Sequence, residues 1–167
     1  LALGVDATAG ELDRSVRETG DHLRQLAAGL AVDPTASGIA DGVLTAAVTV
    51  ENLAGHKLPT AYPSRRVWIH LGVRDAGGKL IFESGALGDD GSIAGNDNDE
   101  DGARYEPHHD VVESPDDVQI YESILGRPDG GVTTGLIEAS VYLKDNRVPP
   151  LGFDKATADD DVAVKGA

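Results

Sequence analysis

Residues 48–74 read VTVENLAGHKLPTAYPSRRVWIHLGVR, and this stretch decides the fold. Just upstream and into it, Leu44, Ala46, Val48 and Val50 alternate with Thr45, Ala47 and Thr49. At its far end Val67, Ile69, Leu71 and Val73 alternate with Trp68, His70 and Arg74. Period-two alternation marks strands with one buried and one wet face. Between the strands lie Gly55-His56-Lys57-Leu58-Pro59-Thr60 and Tyr62-Pro63-Ser64-Arg65-Arg66. Two prolines fix the backbone, a glycine frees it beside an imidazole, and two arginines close the loop. A loop stiffened in this way holds side chains in place.

Working outward, residues 11–30, ELDRSVRETGDHLRQLAAGL, predict an amphipathic helix. Leu12, Val16, Leu23, Leu26, Ala27 and Leu30 share one stripe. Glu11 and Asp13 sit near its positive N-terminal end, Gly20 weakens it by roughly 1 kcal/mol, and Asp33-Pro34 ends it. Residues 1–10 are expected to be loose, and His22 to be a solvated histidine. Strands are expected at Val43–Asn52, Val67–Arg74, Lys79–Ser84, Val118–Ile124 and Leu136–Leu143, the last with Ile137, Ala139, Val141 and Leu143 on one face. Asp75-Ala76-Gly77-Gly78 reads as a hairpin turn, residues 144–147 as a terminating turn, and 156–167 as an acidic tail. Short strands, glycine- and proline-rich turns and no βαβ rhythm predict a mainly β chain: an antiparallel, immunoglobulin-like β-sandwich preceded by one helix. The expected organisation is an N-terminal segment 1–41, a sandwich 42–155 and the tail 156–167.

The chain has 167 residues, a length suited to one domain with an appendage. Its net charge of −15, carried more by Asp than by Glu, sets it against nucleic acid and anionic membranes and in favour of cations or basic partners. No segment approaches the ~20 apolar residues needed to span a bilayer. The first residue, Leu1, is not followed by a basic, apolar leader, and the expectation is either that a leader was removed or that the numbering starts inside a longer precursor. The chain has neither Cys nor Met, which excludes disulfides, thiolate and thioether ligands, and a Cys-x-x-Cys-His attachment site for c-type haem.

The acidic stretch 88–110 reads GDDGSIAGNDNDEDGARYEPHHD. Asp97, Asp99 and Asp101 alternate and Gly102 follows, as at the start of a calcium loop. The position that should carry the bidentate Glu holds His108, and Glu106 falls two residues early, so the stretch is not an EF-hand. A different Ca²⁺ loop using Asp97, Asp99, Asp101, Glu106 and Asp110 is set against a solvated acidic loop. Of the histidines, His70 defaults to the wet face of its strand, whereas His56, His108 and His109 lie in loops. Loop histidines suit Zn²⁺, copper or the axial position of haem iron, against a hydrogen-bonded structural role. No Ser-His-Asp order, zincin helix or phosphate loop occurs.

The strings NLAGHKLPTAYPSRRVWIHLGVRDAGGKLIFESGAL, GSIAGNDNDEDGARYEPHHD, VQIYESILG and YLKDNRVPPLGFDK, in that order, resemble the haem-free C-terminal β region of multihaem c-type cytochrome family proteins. The resemblance spans roughly Leu44 to Lys155. It implies an exported, periplasmic or extracellular electron-transfer setting in which a cysteine-rich haem region precedes a helix and the β region follows. The Gly-His-Lys-x-Pro-Thr match puts His56 forward as a distal ligand for a haem held elsewhere. The Glu-Pro-His match puts His108 forward, and the Asn-Asp-Asn-Asp match marks the acidic loop as a structural cation site. This chain, having no Cys, holds no covalent haem of its own. The haem then belongs to a partner chain, a c-type cytochrome or other redox protein, or to a missing N-terminal part. Three functions follow: a non-catalytic accessory scaffold of such an assembly, a secreted Ca²⁺-stabilised structural or adhesive binding module, and a metalloenzyme using His56 and His108 with a carboxylate.

Overall fold

The structure, a computed structural model, describes residues 6–60 and 62–167. The expectation of looseness at residues 1–10 therefore lies, for 1–5, outside the described residues. The chain divides into two compact units, Leu1–His56 and Lys57–Ala167.

The first unit opens with helix α1, Ala9–Gln25. A capping box starts it: Thr8 Oγ1 accepts from the Glu11 backbone N–H at 3.3 Å, and Glu11 Oε2 accepts from the Thr8 N–H at 2.7 Å. The helix begins two residues before the expected start and ends five residues early. From Ala28 the backbone is strand β1, Ala28–Ala40, paired antiparallel with β2, Val43–Asn52. Residues 26–30 satisfy a helical stripe, but Gly29 disfavours a helix, and Leu30 and Val32 find cross-strand partners in Val50 and Val48. Pro34 falls where the β1 register slips, between Asp33 and Gly38, the place a sheet tolerates proline. Asp41 and Gly42 both take positive φ, 52° and 81°, and close a two-residue hairpin.

In this unit the faces marked for burial are wet. Leu12, Val16 and Leu23 of α1 and Leu26 at its C-cap are 53–73% exposed, and Leu30, Ile39 and Leu44 of the hairpin 49–77%. Of the hydrophobic side chains described in the unit, Ala27 is buried.

The second unit is a set of small antiparallel sheets. The expected strand 67–74 is broken into β3, Val67–Trp68, and β4, Leu71–Arg74. Strand β4 pairs with β5, Leu80–Ser84, through the expected turn: Asp75 Oδ1 accepts from the backbone N–H of Gly77 and Lys79, and Gly78 takes φ 84°. The acidic segment contains a single helical turn, α2, Asp97–Glu100. Strand β3 pairs with β6, Ile120–Tyr121. Next come β7, Ser123–Gly126, β8, Val132–Thr133, and β9, Val141–Asp145, with β7 central in the order β8-β7-β9.

The expected strand 136–143 is corrected. Leu136–Glu138 is a turn with Ile137 fully exposed, and the strand runs two residues further, through Lys144 and Asp145. The expected tail also returns to the unit, since Lys165 and Asp145 exchange both backbone hydrogen bonds, 2.9 and 3.0 Å. The architecture is mainly β, in small antiparallel sheets, with one N-terminal helix of more than a single turn.

The apolar core is small. Ile93, Val118 and Ile120 are at most 2% exposed, and Trp68 packs against them. Trp68 therefore leaves the wet face that alternation gives it; its Nε1–H donates to the Gly85 carbonyl at 2.9 Å. Gly85, at φ 72°, permits that approach. A Cβ there would lie 2.7 Å from the Ile69 carbonyl oxygen and 2.9 Å from Val118 Cγ2. Gly85→Ala is expected to cost about 3 kcal/mol in a urea titration, combining backbone strain with overpacking. Gly91→Ala, also at positive φ but in open space, is expected to cost about 1 kcal/mol.

Candidate functional site

His56 ends the first unit on a clamped loop. Strand β2 stops at Asn52, whose side chain is buried and bridges the loop. Its Nδ2 donates to the His56 carbonyl at 2.7 Å and its Oδ1 accepts from the Ala54 N–H at 2.8 Å. The backbone on both sides of Gly55 is thus tied to one amide. The His56 imidazole is exposed and makes no hydrogen bond or ion pair among the described residues. His22, on the surface of α1, is exposed in the same way but with no comparable clamp. His70 is engaged, its Nε2 lying 2.9 Å from Glu83 Oε1.

His108 belongs to the second unit and is placed differently. Its Nδ1 faces two amide nitrogens, Gln119 Nε2 at 2.9 Å and Asn146 Nδ2 at 3.0 Å. Neither amide can be turned over. Gln119 Oε1 accepts from the His109 N–H at 2.7 Å; Asn146 Oδ1 accepts from the Glu122 N–H at 3.0 Å while its Nδ2 donates to the Ile120 carbonyl at 2.8 Å. So Nδ1 is an acceptor and the proton of the neutral ring sits on Nε2, 3.5 Å from Asp110 Oδ1. An imidazole whose lone pair is taken by two donors and whose other nitrogen bears hydrogen has no electron pair for a metal or haem iron. In this arrangement both ring nitrogens of His108 are engaged inside the unit, Nδ1 by Gln119 and Asn146 and Nε2 beside Asp110.

Next to it lies the centre of the unit. Lys144 is 1% exposed, and its Nζ donates to the Glu106 carbonyl at 2.7 Å, the Ile120 carbonyl at 3.2 Å and Glu122 Oε1 at 3.0 Å. All three ammonium protons are used. Burial pulls the Lys144 pKa below its ordinary 10.5, and the charges of Glu122 and Glu106 pull the other way. Glu106 is itself buried; its Oε1 lies 2.5 Å from His109 Nε2. Asp145 forms a second charged knot with Arg147, which grips both its oxygens at 2.7 and 2.8 Å, and with Lys57 Nζ at 2.8 Å. Burial would raise the Asp145 pKa, but the hydrogen bonds from Arg147 and Lys57 outweigh it and hold the carboxyl below the usual range.

The acidic loop is held by cations of the chain itself. Asp97 Oδ2 accepts from Arg104 at 2.7 Å. Asp99 Oδ1 accepts from Arg66 at 2.7 Å and its Oδ2 from the Ile93 N–H at 2.8 Å. Asp101 Oδ1 caps its own turn through the Ala103 N–H at 2.9 Å. Glu106 faces His109, and Asp110 is 95% exposed beside His108. The five carboxylates of the expected calcium loop are thus divided among separate partners. Among the described residues no group of three His, Asp or Glu side chains could hold a metal ion. As placed, these side chains do not fit a Ca²⁺ cage.

Sequence reading missed Lys144, Gln119, Glu122 and Asn146. The readable signal was a Lys and an Asn flanking Asp145 directly after an alternating run. The expected terminating turn at 144–147 begins as strand, with Lys144 on the inward side.

His108, chiefly through burial and also through the nearby Lys144 charge, has its pKa pushed below 6.5, against the pull of Asp110. The folded state then binds fewer protons than the unfolded one just below pH 6.5. The His108 contribution to stability is fully present above that pH and is lost as pH falls through the lowered folded value. Urea titrations between pH 5 and 7.5 should show this slope in the parent and a shallower one in His108→Gln. For the acidic loop, a thermal melt should keep its midpoint in chelator, whereas Arg66→Gln should cost about 1–2 kcal/mol by releasing Asp99. No protein-family model matches the chain, and neither curated proteins nor solved structures give a match.

Proposed function

We propose that this chain is a non-catalytic accessory scaffold of an exported, periplasmic or extracellular electron-transfer assembly, in which His56 supplies the distal axial imidazole to a haem held by a partner chain or by a missing N-terminal part. The observation that carries the proposal is the state of His56: an exposed imidazole with no hydrogen-bond or ion-pair partner among the described residues, on a loop fixed at the backbone by Asn52. The sequence resemblance supplies the kind of partner. A haem bound by the partner supplies the electron store; the part of this chain is to hold one nitrogen ligand at a set position.

A clamped loop suits that task. A ligand already ordered loses less conformational freedom on binding, so more of the iron–nitrogen bond strength appears as affinity. An axial imidazole fixes the coordination state of the iron, and covering protein lowers its exposure to water; both set the reduction potential. The reading also keeps the immunoglobulin-like β-sandwich for the β region. Antiparallel pairing throughout and the cluster of Ile93, Val118 and Ile120 support it.

The test needs no identified partner. A c-type haem peptide with one axial histidine and an open sixth position is titrated with the full chain. Conversion of the haem to a low-spin, six-coordinate spectrum is expected. The conversion should be lost in His56→Ala and kept in His22→Ala and His70→Ala. Retention of the low-spin spectrum by His56→Ala, or no conversion by the parent chain, overturns the proposal.

A further inference from the structure

We propose that the helix and hairpin of the first unit are a self-association surface, covered in solution by the same unit of a second copy of this chain. The unit cannot dry its own apolar surface. A two-stranded hairpin is marginal in water, and so is a 17-residue helix without a packed face. Yet Leu12, Val16 and Leu23 on α1, Leu26 at its C-cap, and Leu30, Ile39 and Leu44 on the hairpin are about half or more exposed. Each leaves on the order of 100 Å² of apolar surface wet, which brings the unit close to the ~800 Å² per partner that a stable dimer buries.

The pattern of α1 selects the occupant. Leu12, Val16, Thr19 and Leu23 are spaced four, three and four residues apart, with Leu26 three further on at the C-cap, the spacing of a two-helix seam and narrower than the stripe of a helix that lies on a sheet. A two-fold axis across the seam makes the helices antiparallel and opposes the two helix dipoles favourably. It sets Glu11 of the first turn beside His22 and Arg24 of the last, Arg24 being paired with Asp21 of its own helix at 3.2 Å. A second copy therefore matches the seam in apolar spacing and in dipole. The hairpin, with one unpaired edge on each strand, leaves room for the same two-fold to extend the sheet.

Sedimentation equilibrium of the full 167-residue chain tests this at ~0.15 M salt, where the repulsion between two chains of charge −15 is screened. A dimer that dissociates on dilution is expected. Val16→Glu combined with Leu23→Glu places charge on the seam at positions already exposed, and should weaken the dimer at least about 100-fold while leaving Trp68 fluorescence unchanged. Thr19→Leu fills the one polar seam position and should tighten it about tenfold. A parent chain that stays monomeric at concentrations on the order of 100 μM overturns the proposal. So does a doubly charged variant that dimerises as tightly as the parent, or a Thr19→Leu variant with unchanged affinity. The reading of His56 stands or falls separately, because His56→Ala leaves the seam intact.

Discussion

The buried ammonium of Lys144 is the contact on which the second unit depends. Its three protons join the Glu106 carbonyl in the acidic segment, the Ile120 carbonyl in β6 and the Glu122 carboxylate between β6 and β7. Two stretches distant in sequence, at 106 and at 120–122, are thus joined to strand β9 at one nitrogen. A cation in such a place is costly unless every donor is used and a counter-charge is near, and both conditions hold here. Asn146, two residues on, repeats the device with its amide, satisfying Glu122 N–H and the Ile120 carbonyl. With so few fully buried aliphatic side chains, specificity in this unit comes from polar groups that fit in one arrangement only.

That network also assigns the histidines. The amides of Gln119 and Asn146 are each fixed by a second bond, so the proton of neutral His108 has one place to be. His56 differs because its neighbours hold its backbone and leave its ring alone. The two histidines look alike in sequence, each in a loop near a proline, and their chemistry is separated by residues 11 and 38 positions from His108.

Much of the fold was legible where a short-range rule is sufficient. Strand β2 has the bounds that alternation gives it, and Asp75 with Gly78 turns β4 into β5 as the residue types require. Residues 26–30 fit both periods, and it is the partner strand β2 that makes 28–30 part of β1. The Asp41-Gly42 pair, a hairpin signal flanked by apolar residues, was the clue available. The stretch 67–74 predicts one strand because its alternation is unbroken; the chain instead gives β3 to β6 and β4 to β5, a choice made by residues some fifty and ten positions away. In the acidic loop, local charge repulsion calls for positive charge close by. The positive charge comes from Arg66 and Arg104, one of them 33 residues from its Asp99 partner.

The paired knots around Lys144 and Asp145 have a bearing on the outside of the molecule as well. Lys57, Lys144 and Arg147 are sequestered with Glu106, Glu122 and Asp145, three bases against three acids, and their fields largely cancel. Taking these three from the chain's 14 bases and three from its 29 acids leaves 11 against 26. The ratio of negative to positive groups met by an approaching body is therefore steeper than composition states. The counter-ion cloud around the protein is correspondingly dense, and encounters with cationic surfaces are hastened in dilute electrolyte and slowed in brine.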